Sequence, residues 1–162
     1  DEGVNEFMIH GGQSSVLARG STPAGADGGW SIGVHHPLRH QERLGEIRLR
    51  DAALATSGSE KQFFRHQGRR LSHILDPRTG QPAEGLLSVT VVAPSAALAD
   101  GLSTALFVLG AERAMEYCRS RPELGLVLVR QARGGQVDVL TCGLESGVFR
   151  RVEMREPPSH GV

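Results

Sequence analysis

Two short segments of the chain bring chemically active side chains close together. The first, from His73 to Gly80 (HILDPRTG), places an imidazole, a carboxylate, a guanidinium and a hydroxyl within eight residues. Such groups can bind a phosphate and move a proton. Pro77 fixes one backbone torsion and Gly80 permits a positive φ, which predicts a tight turn. An ordinary Asp-Pro turn, in which Asp76 caps backbone amides and Arg78 faces solvent, explains the same residues about as well.

The second segment, residues 99–105 (ADGLSTA), lies in an otherwise apolar stretch. Asp100 and Thr104 are four residues apart and would share one face of a helix. We expect the apolar neighbours to make a bare carboxylate costly unless it is paired or binds a metal. A carboxylate and a hydroxyl, together with substrate phosphates and water, are ligands that Mg²⁺ accepts. The pair therefore indicates a magnesium site, and the alternative is a single Asp that pairs with an arginine or faces solvent.

Two further segments carry weaker signals. Residues 53–58 (ALATSG) are small and end in a glycine, so backbone amides could approach a ligand closely, although a plain strand-to-turn junction explains them better. His35, His36 and His40 lie near Pro37, but no carboxylate or cysteine accompanies them. We interpret these three histidines as loop residues.

The composition is that of one globular domain. The chain has 162 residues, of which 39% are hydrophobic and 22% charged, and its formal net charge is +0. A neutral chain gives no reason to expect nucleic acid as a partner. Cys118 and Cys142 allow one disulfide, but we interpret them as two inert thiols. The domain is predicted over residues 1–155, with a disordered tail over 156–162.

The fold class is predicted to be α+β, with a mainly antiparallel sheet. Alternating or β-branched runs predict strands at 7–10, 14–18, 30–34, 46–50, 53–56, 71–75, 87–93, 124–130, 137–141 and 149–152. Two consecutive helices, over about 96–109 and 111–119, should pack on this sheet, with Ser95 as the N-cap of the first. Its predicted apolar face consists of Leu98, Leu102, Ala105, Leu106 and Leu109.

In this order and spacing, the segments resemble the ApbE family of flavin transferases. The blocks that carry the resemblance are IHGG (9–12), WSIGV (30–34), ALATSG (53–58), HILDPRTGQP (73–82), SVTVVA (88–93), ADGLSTAL (99–106) and LG (109–110). HILDPRTG is the most specific of them. The resemblance covers about residues 4–152 and implies an ApbE-like, T-fold-related domain.

The resemblance implies Mg²⁺-dependent transfer of FMN from FAD to a threonine or serine hydroxyl of an acceptor protein, with release of AMP. The implied cofactors are Mg²⁺ and FAD, the latter as substrate, and the implied acceptors are flavoprotein subunits of membrane redox complexes. The family also implies a periplasmic or cell-envelope location, through an upstream lipid anchor. Two alternatives are hydrolysis of FAD to FMN and AMP, and a non-catalytic flavin-binding or interaction domain.

Roles for single residues follow from the same resemblance. His73 and Asp100 are the implied catalytic groups, and Ile74 is an implied flavin contact. The implied metal ligands are Asp100, Thr104 and the backbone at Ser103. From the segments described above, the further candidate FAD-binding residues are Asp76, Arg78, Thr79, Thr56 and Ser57.

The chain departs from the family pattern in two ways. The family's domain begins well before this chain does, so we expect an N-terminal part with further FAD and metal contacts to be missing. In addition, Gly101 stands where alanine is usual, and Gln13 stands where an acidic residue is frequent.

Overall fold

The computed structural model describes residues 3–12, 14–22, 28–58, 63–66, 69–144 and 147–152. Within these ranges, no helix is long and apolar enough to cross a membrane. Gln13 and the predicted tail over 156–162 lie outside the described residues.

The chain forms eleven described strands and two α-helices. In chain order they are β1 (Phe7–Gly11), β2 (Ser15–Arg19), β3 (Trp30–His36), β4 (Arg39–Leu49), β5 (Ala52–Gly58), β6 (Phe63–His66), β7 (Arg69–Ser72), β8 (Ser88–Ala93), α1 (Ala96–Leu109), α2 (Ala111–Arg119), β9 (Gly125–Gln131), β10 (Val137–Cys142) and β11 (Phe149–Arg151). Both helices have the predicted bounds. Ser95 caps α1, since its side chain accepts a hydrogen bond from the amide of Leu98 at 3.3 Å.

A six-stranded sheet in the order β1-β2-β5-β8-β9-β10 forms the centre of the fold, and every neighbouring pair in it is antiparallel. Helix α1 packs on β5 and β8 across one face, and α2 lies against α1 and β9. A three-stranded sheet, β11-β4-β3, supplies apolar side chains that pack with the opposite face. The predicted α+β class, with two consecutive helices on an antiparallel sheet, is confirmed.

The predicted apolar face of α1 is only partly correct. Leu106 is buried and Leu102 packs against the core, whereas Leu98 and Leu109 are exposed, so other residues complete the buried face of α1. Its fully buried side chains are those of Ala99, Ser103, Leu106 and Phe107, whereas Leu98 is 40% exposed. Because α1 is apolar almost all round, hydrophobicity alone cannot select the face that packs on the sheet. The small side chains of Ala99 and Ser103 lie on the buried face, where they let the helix approach the strands closely.

The histidines near Pro37 are not loop residues. His35 and His36 belong to β3, and β4 begins only two residues after Pro37, so that the strands form a tight hairpin. The His36 ring is 1% exposed, and its Nδ1 accepts hydrogen bonds from the amides of Leu38 and Arg39 at 3.1 and 3.2 Å. A buried imidazole thus satisfies the backbone of the turn.

The strand predicted over 71–75 ends earlier than expected. It stops at Ser72 and pairs with β6, a strand that was not predicted, to form a separate two-stranded sheet. Beyond it, the backbone turns at the DPRTG segment, where Leu75 makes an isolated bridge with Pro82. Along the chain, the β6–β7 hairpin lies between β5 and the segment that carries His73.

Candidate functional site

Three hydroxyl groups meet where the end of β5 lies under α1. Ser57 Oγ is 2.8 Å from Ser103 Oγ and 2.9 Å from Thr104 Oγ1. Ser103 Oγ also donates to the Asp100 carbonyl oxygen at 2.9 Å. Ser103 is 0% exposed, whereas Thr104 is exposed. This group, which we term the hydroxyl cluster (Ser57, Ser103 and Thr104), links β5 to α1 and presents one of its hydroxyls to solvent.

The number of protons in the hydroxyl cluster fixes the direction of its hydrogen bonds. A serine or threonine hydroxyl donates one hydrogen and can accept two. Ser103 donates to the Asp100 carbonyl, so the hydrogen in the Ser57–Ser103 contact must come from Ser57. The hydrogen in the Ser57–Thr104 contact must then come from Thr104. Thr104 Oγ1 therefore directs its hydrogen inward and keeps its remaining acceptor capacity for solvent or a ligand.

Asp100 lies one helical turn before Thr104 and is exposed. The expectation that an apolar surround would make this carboxylate costly is wrong, because water reaches it. Its side chain makes no hydrogen bond or ion pair with any residue in the described part of the chain. Asp100 and Thr104 together offer hard oxygen acceptors on one face of α1, and both face outward.

A metal ion at this position would find few protein ligands. Among the described residues, no group of three or more His, Cys, Asp or Glu side chains comes together. The carboxylate of Asp100 and the hydroxyl of Thr104 suit Mg²⁺, which commonly takes one or two protein oxygens and completes its shell with phosphates and water. The side chain of Ser103 is occupied within the hydroxyl cluster, so only its backbone is available for the predicted contact.

Hydrogen bonds among its own residues stabilise the turn of the DPRTG segment (residues 76–80). The Asp76 amide donates to the Gln81 carbonyl at 2.8 Å, and the Gly80 amide donates to the Asp76 carbonyl at 2.8 Å. Asp76 also accepts hydrogen bonds from the backbone amide of Arg78 at 2.9 Å and from its guanidinium at 2.7 Å. These two contacts, the side-chain contact first, lower the pKa of Asp76 from 3.8 to about 2.

This geometry favours the Asp-Pro turn as the explanation for part of the segment. The oxygens of Asp76 and Thr79 accept hydrogen bonds from the turn itself, since Thr79 Oγ1 accepts from the Gln81 amide at 3.2 Å. The guanidinium of Arg78 is not simply solvated, because it forms hydrogen bonds and an ion pair with the carboxylate of Asp76. The predicted FAD contacts of these three residues stay predictions.

His73 is held at the surface by its two neighbours. Ser72 and Ile74 are both buried, and Ser72 Oγ accepts a hydrogen bond from the Ile74 amide at 3.0 Å, while His73 itself is exposed. Ile74, which is 9% exposed, packs in the same core cluster as Ala99. The residue after His73 and the residue before Asp100 therefore share one core. Because Ile74 is used for packing, little of its side chain remains for the predicted flavin contact.

Thr56 is not part of the hydroxyl cluster that contains Ser57. Successive residues of a strand face opposite sides of a sheet, so Ser57 points to α1 and Thr56 to the other face. There, Thr56 Oγ1 lies 2.9 Å from Thr90 Oγ1. Both threonines line a cavity of about 590 Å³ between the two larger sheets, which Ser88 also lines. The alternation within SVTVVA was the sequence signal that could have identified Ser88 and Thr90 as partners of Thr56.

The chain is similar to proteins that share one name. A model described as the ApbE family matches residues 1–128. An FAD:protein FMN transferase of Klebsiella pneumoniae (strain 342) is 33% identical over 135 residues, which are 82% of this chain and 38% of that protein. The corresponding protein of Haemophilus influenzae is 36% identical over 81% of this chain and 38% of its own length.

Solved structures give the same result. The flavin transferase ApbE from Vibrio cholerae is 30% identical with a TM-score of 0.70, over 86% of this chain and 43% of that one. The ApbE protein from Thermotoga maritima is 35% identical with a TM-score of 0.64, over 77% of this chain and 40% of that one. The chain thus spans about two fifths of the length of these relatives.

Proposed function

The chain belongs to the ApbE family, and from that premise we propose that it carries part of an active site for FMN transfer. The reaction would take FMN from FAD, attach it to a threonine or serine hydroxyl of an acceptor flavoprotein subunit of a membrane redox complex, and release AMP. The relatives' name, FAD:protein FMN transferase, supports the reaction class. The observation that carries the proposal is the exposed pair of Asp100 and Thr104 on one face of α1, in which the contact with Ser57 fixes the direction of the Thr104 hydroxyl.

Asp100 and Thr104 would hold a magnesium ion, with the backbone at Ser103 as a further candidate ligand. The fit rests on the Thr104 hydroxyl, which directs its hydrogen toward Ser57 and so offers only acceptor capacity outward. When bound, Mg²⁺ supplies positive charge to the pyrophosphate oxygens as the phosphorus–oxygen bond breaks. Because Asp100 is exposed, its carboxylate would hold the ion where a phosphate that arrives from solvent can reach it.

His73 is the proposed base for the acceptor hydroxyl. As the hydroxyl oxygen forms a bond to the phosphorus of the FMN half, the bond from that phosphorus to the AMP half breaks, and the proton passes to the imidazole. The exposed position of His73, between two buried residues, holds the ring at the surface where an acceptor segment can reach it. Asp100 is the second candidate for this proton, because as a magnesium ligand its carboxylate would lie near the phosphates that the ion binds.

The experiment is a transfer assay with FAD, Mg²⁺ and an acceptor flavoprotein subunit. It uses both the chain itself and a hybrid in which the chain replaces the segment that it matches in the Vibrio cholerae relative, since the match covers 43% of the relative. We expect the hybrid to add the mass of one FMN group to the acceptor. The matched control is Asp100→Asn, which keeps the size of the side chain and should lower the transfer rate at limiting Mg²⁺, because an amide binds Mg²⁺ more weakly than a carboxylate.

The products decide between the proposal and its alternatives. Free FMN and AMP without a modified acceptor would make the protein an FAD pyrophosphatase. Binding of FAD by the hybrid, with neither product formed, would indicate a non-catalytic flavin-binding domain. Transfer by the Asp100→Asn hybrid at the unmodified rate would remove the proposed magnesium ligands from the mechanism.

A further inference from the structure

The two cysteines of the chain lie on neighbouring elements. Cys118 is in the last turn of α2 and is 2% exposed, while Cys142 is the last residue of β10 and is half-buried. Cys142 Sγ is 4.0 Å from the carbonyl oxygen of Met115, one turn before Cys118 on the same helix. A methyl group added to Gly143, which follows Cys142, would lie 3.3 Å from Cys118 Sγ. Each cysteine therefore reaches the backbone next to the other.

The two thiols are free, and they interact with each other. Burial, followed by the contact with Cys142, raises the pKa of the Cys118 thiol to about 12. Cys118 is therefore a thiol rather than a thiolate at neutral pH. In the described part of the chain, no histidine or carboxylate joins them in a group of three that could hold a metal ion.

We propose that Cys118 and Cys142 are a disulfide-forming site that cross-links α2 to β10 in the presence of a disulfide oxidant. The half-buried Cys142 thiolate attacks one sulfur of the oxidant, forms a mixed disulfide and releases one thiol. The Cys118 thiol then gives up its proton to the departing thiolate as its sulfur attacks the Cys142 sulfur, and the second thiol is released. The protein loses two hydrogen atoms, and the oxidant is reduced to two thiols.

The cross-link is remote from the hydroxyl cluster. Strand β10 forms one edge of the six-stranded sheet, and two strands, β8 and β9, separate it from β5, which carries Ser57. The disulfide should therefore form whether or not the protein transfers FMN. It would close a loop that contains β9, and a loop of this size is expected to raise Tm by about 5–10 °C.

The test is oxidation of the folded, full-length chain with oxidised glutathione, followed by alkylation in denaturant without reductant. Because trypsin cleaves after arginine, the expected product is a pair of linked peptides, residues 114–119 and 134–150. The intact protein should lose the mass of two hydrogen atoms, and dithiothreitol should restore two alkylatable thiols. Oxidation should accelerate as pH rises, because the attacking species is the thiolate.

Cys142→Ser is the matched control, because Cys142 is only half-buried and its loss should leave the fold intact. This variant should give no linked peptides and no rise in Tm on oxidation. Two alkylatable thiols remaining after the oxidant would overturn the proposal. So would linked peptides that occur only in covalent dimers.

Discussion

Ser103 and Thr104 are adjacent hydroxyl residues that the structure assigns to opposite tasks, and substitution of each should show this. Ser103→Ala removes the hydrogen bond to Ser57 from a site that is fully buried. The Asp100 carbonyl also loses the hydrogen bond from Ser103 Oγ, but it keeps the hydrogen bond from the backbone amide one helical turn later. Two lost hydrogen bonds, one of them to a carbonyl that keeps another donor, and a void of one oxygen atom should together cost about 1–2 kcal/mol, which lowers Tm by roughly 2–8 °C.

Flavin transfer should survive the Ser103→Ala change. The predicted metal contact of Ser103 is made by its backbone, and Thr104 can still donate to Ser57. We therefore expect a transfer rate within about threefold of the unmodified protein, equivalent to about 0.6 kcal/mol or less in activation free energy.

Thr104→Val should have the reverse effect. Valine keeps the shape of the side chain at an exposed position, and Ser57 keeps its hydrogen bond to Ser103. The free energy of unfolding should therefore change by about 0.5 kcal/mol or less. Loss of a metal-ligand oxygen should lower transfer at least about 100-fold at low Mg²⁺. Thr104→Ser keeps the hydroxyl and should restore most of the activity.

Two measurements on the hybrid decide the matter: thermal unfolding followed by circular dichroism, and transfer rate as a function of Mg²⁺ concentration. If Thr104→Val transferred FMN normally, Thr104 would not be a metal ligand. If Ser103→Ala abolished transfer without lowering Tm, the assignment of Ser103 to stability and of Thr104 to metal binding would be incorrect.

Four further predictions concern other residues. Gly101→Ala should raise stability by about 0.5–1 kcal/mol in thermal unfolding, because an added Cβ meets nothing within 4 Å on α1. In contrast, Gly45→Ala should lower stability, since its Cβ would lie 2.5 Å from the Phe149 ring. His73→Ala should reduce transfer by about 10²–10⁴-fold with FAD binding unchanged, and a full rate would remove His73 from the mechanism. The ion pair with Arg78 should stabilise the turn fully above the usual Asp pKa of 3.8 and be lost as pH falls through about 2. A carboxyl-carbon NMR titration of Asp76 should therefore show its midpoint near 2 and move toward 3.8 in Arg78→Ala.

The fold could be predicted from the sequence wherever local chemistry has one solution. Ser95 followed by a long apolar run gives α1 and its start, and β-branched residues give β8 at the centre of the sheet. The buried face of α1 could not be predicted, because its apolar residues surround the axis and the choice depends on the strands beneath. His36 was misread for a similar reason, since a buried imidazole that accepts backbone amides has no local sequence signature.

For the site, the sequence identified the reactive groups but not the direction in which each one acts. The DPRTG segment contains groups that can bind a phosphate, yet Asp76 and Thr79 direct their oxygens to amides of the turn itself. Thr104 shows the converse, because its contact with Ser57 comes from a strand 47 residues away and turns its hydrogen inward. A side chain's capacity for hydrogen bonds follows from its type, whereas the part left for a ligand depends on the bonds that the fold has already formed. For this reason the outward pair of Asp100 and Thr104 is a stronger candidate for binding the substrate than the more recognisable turn.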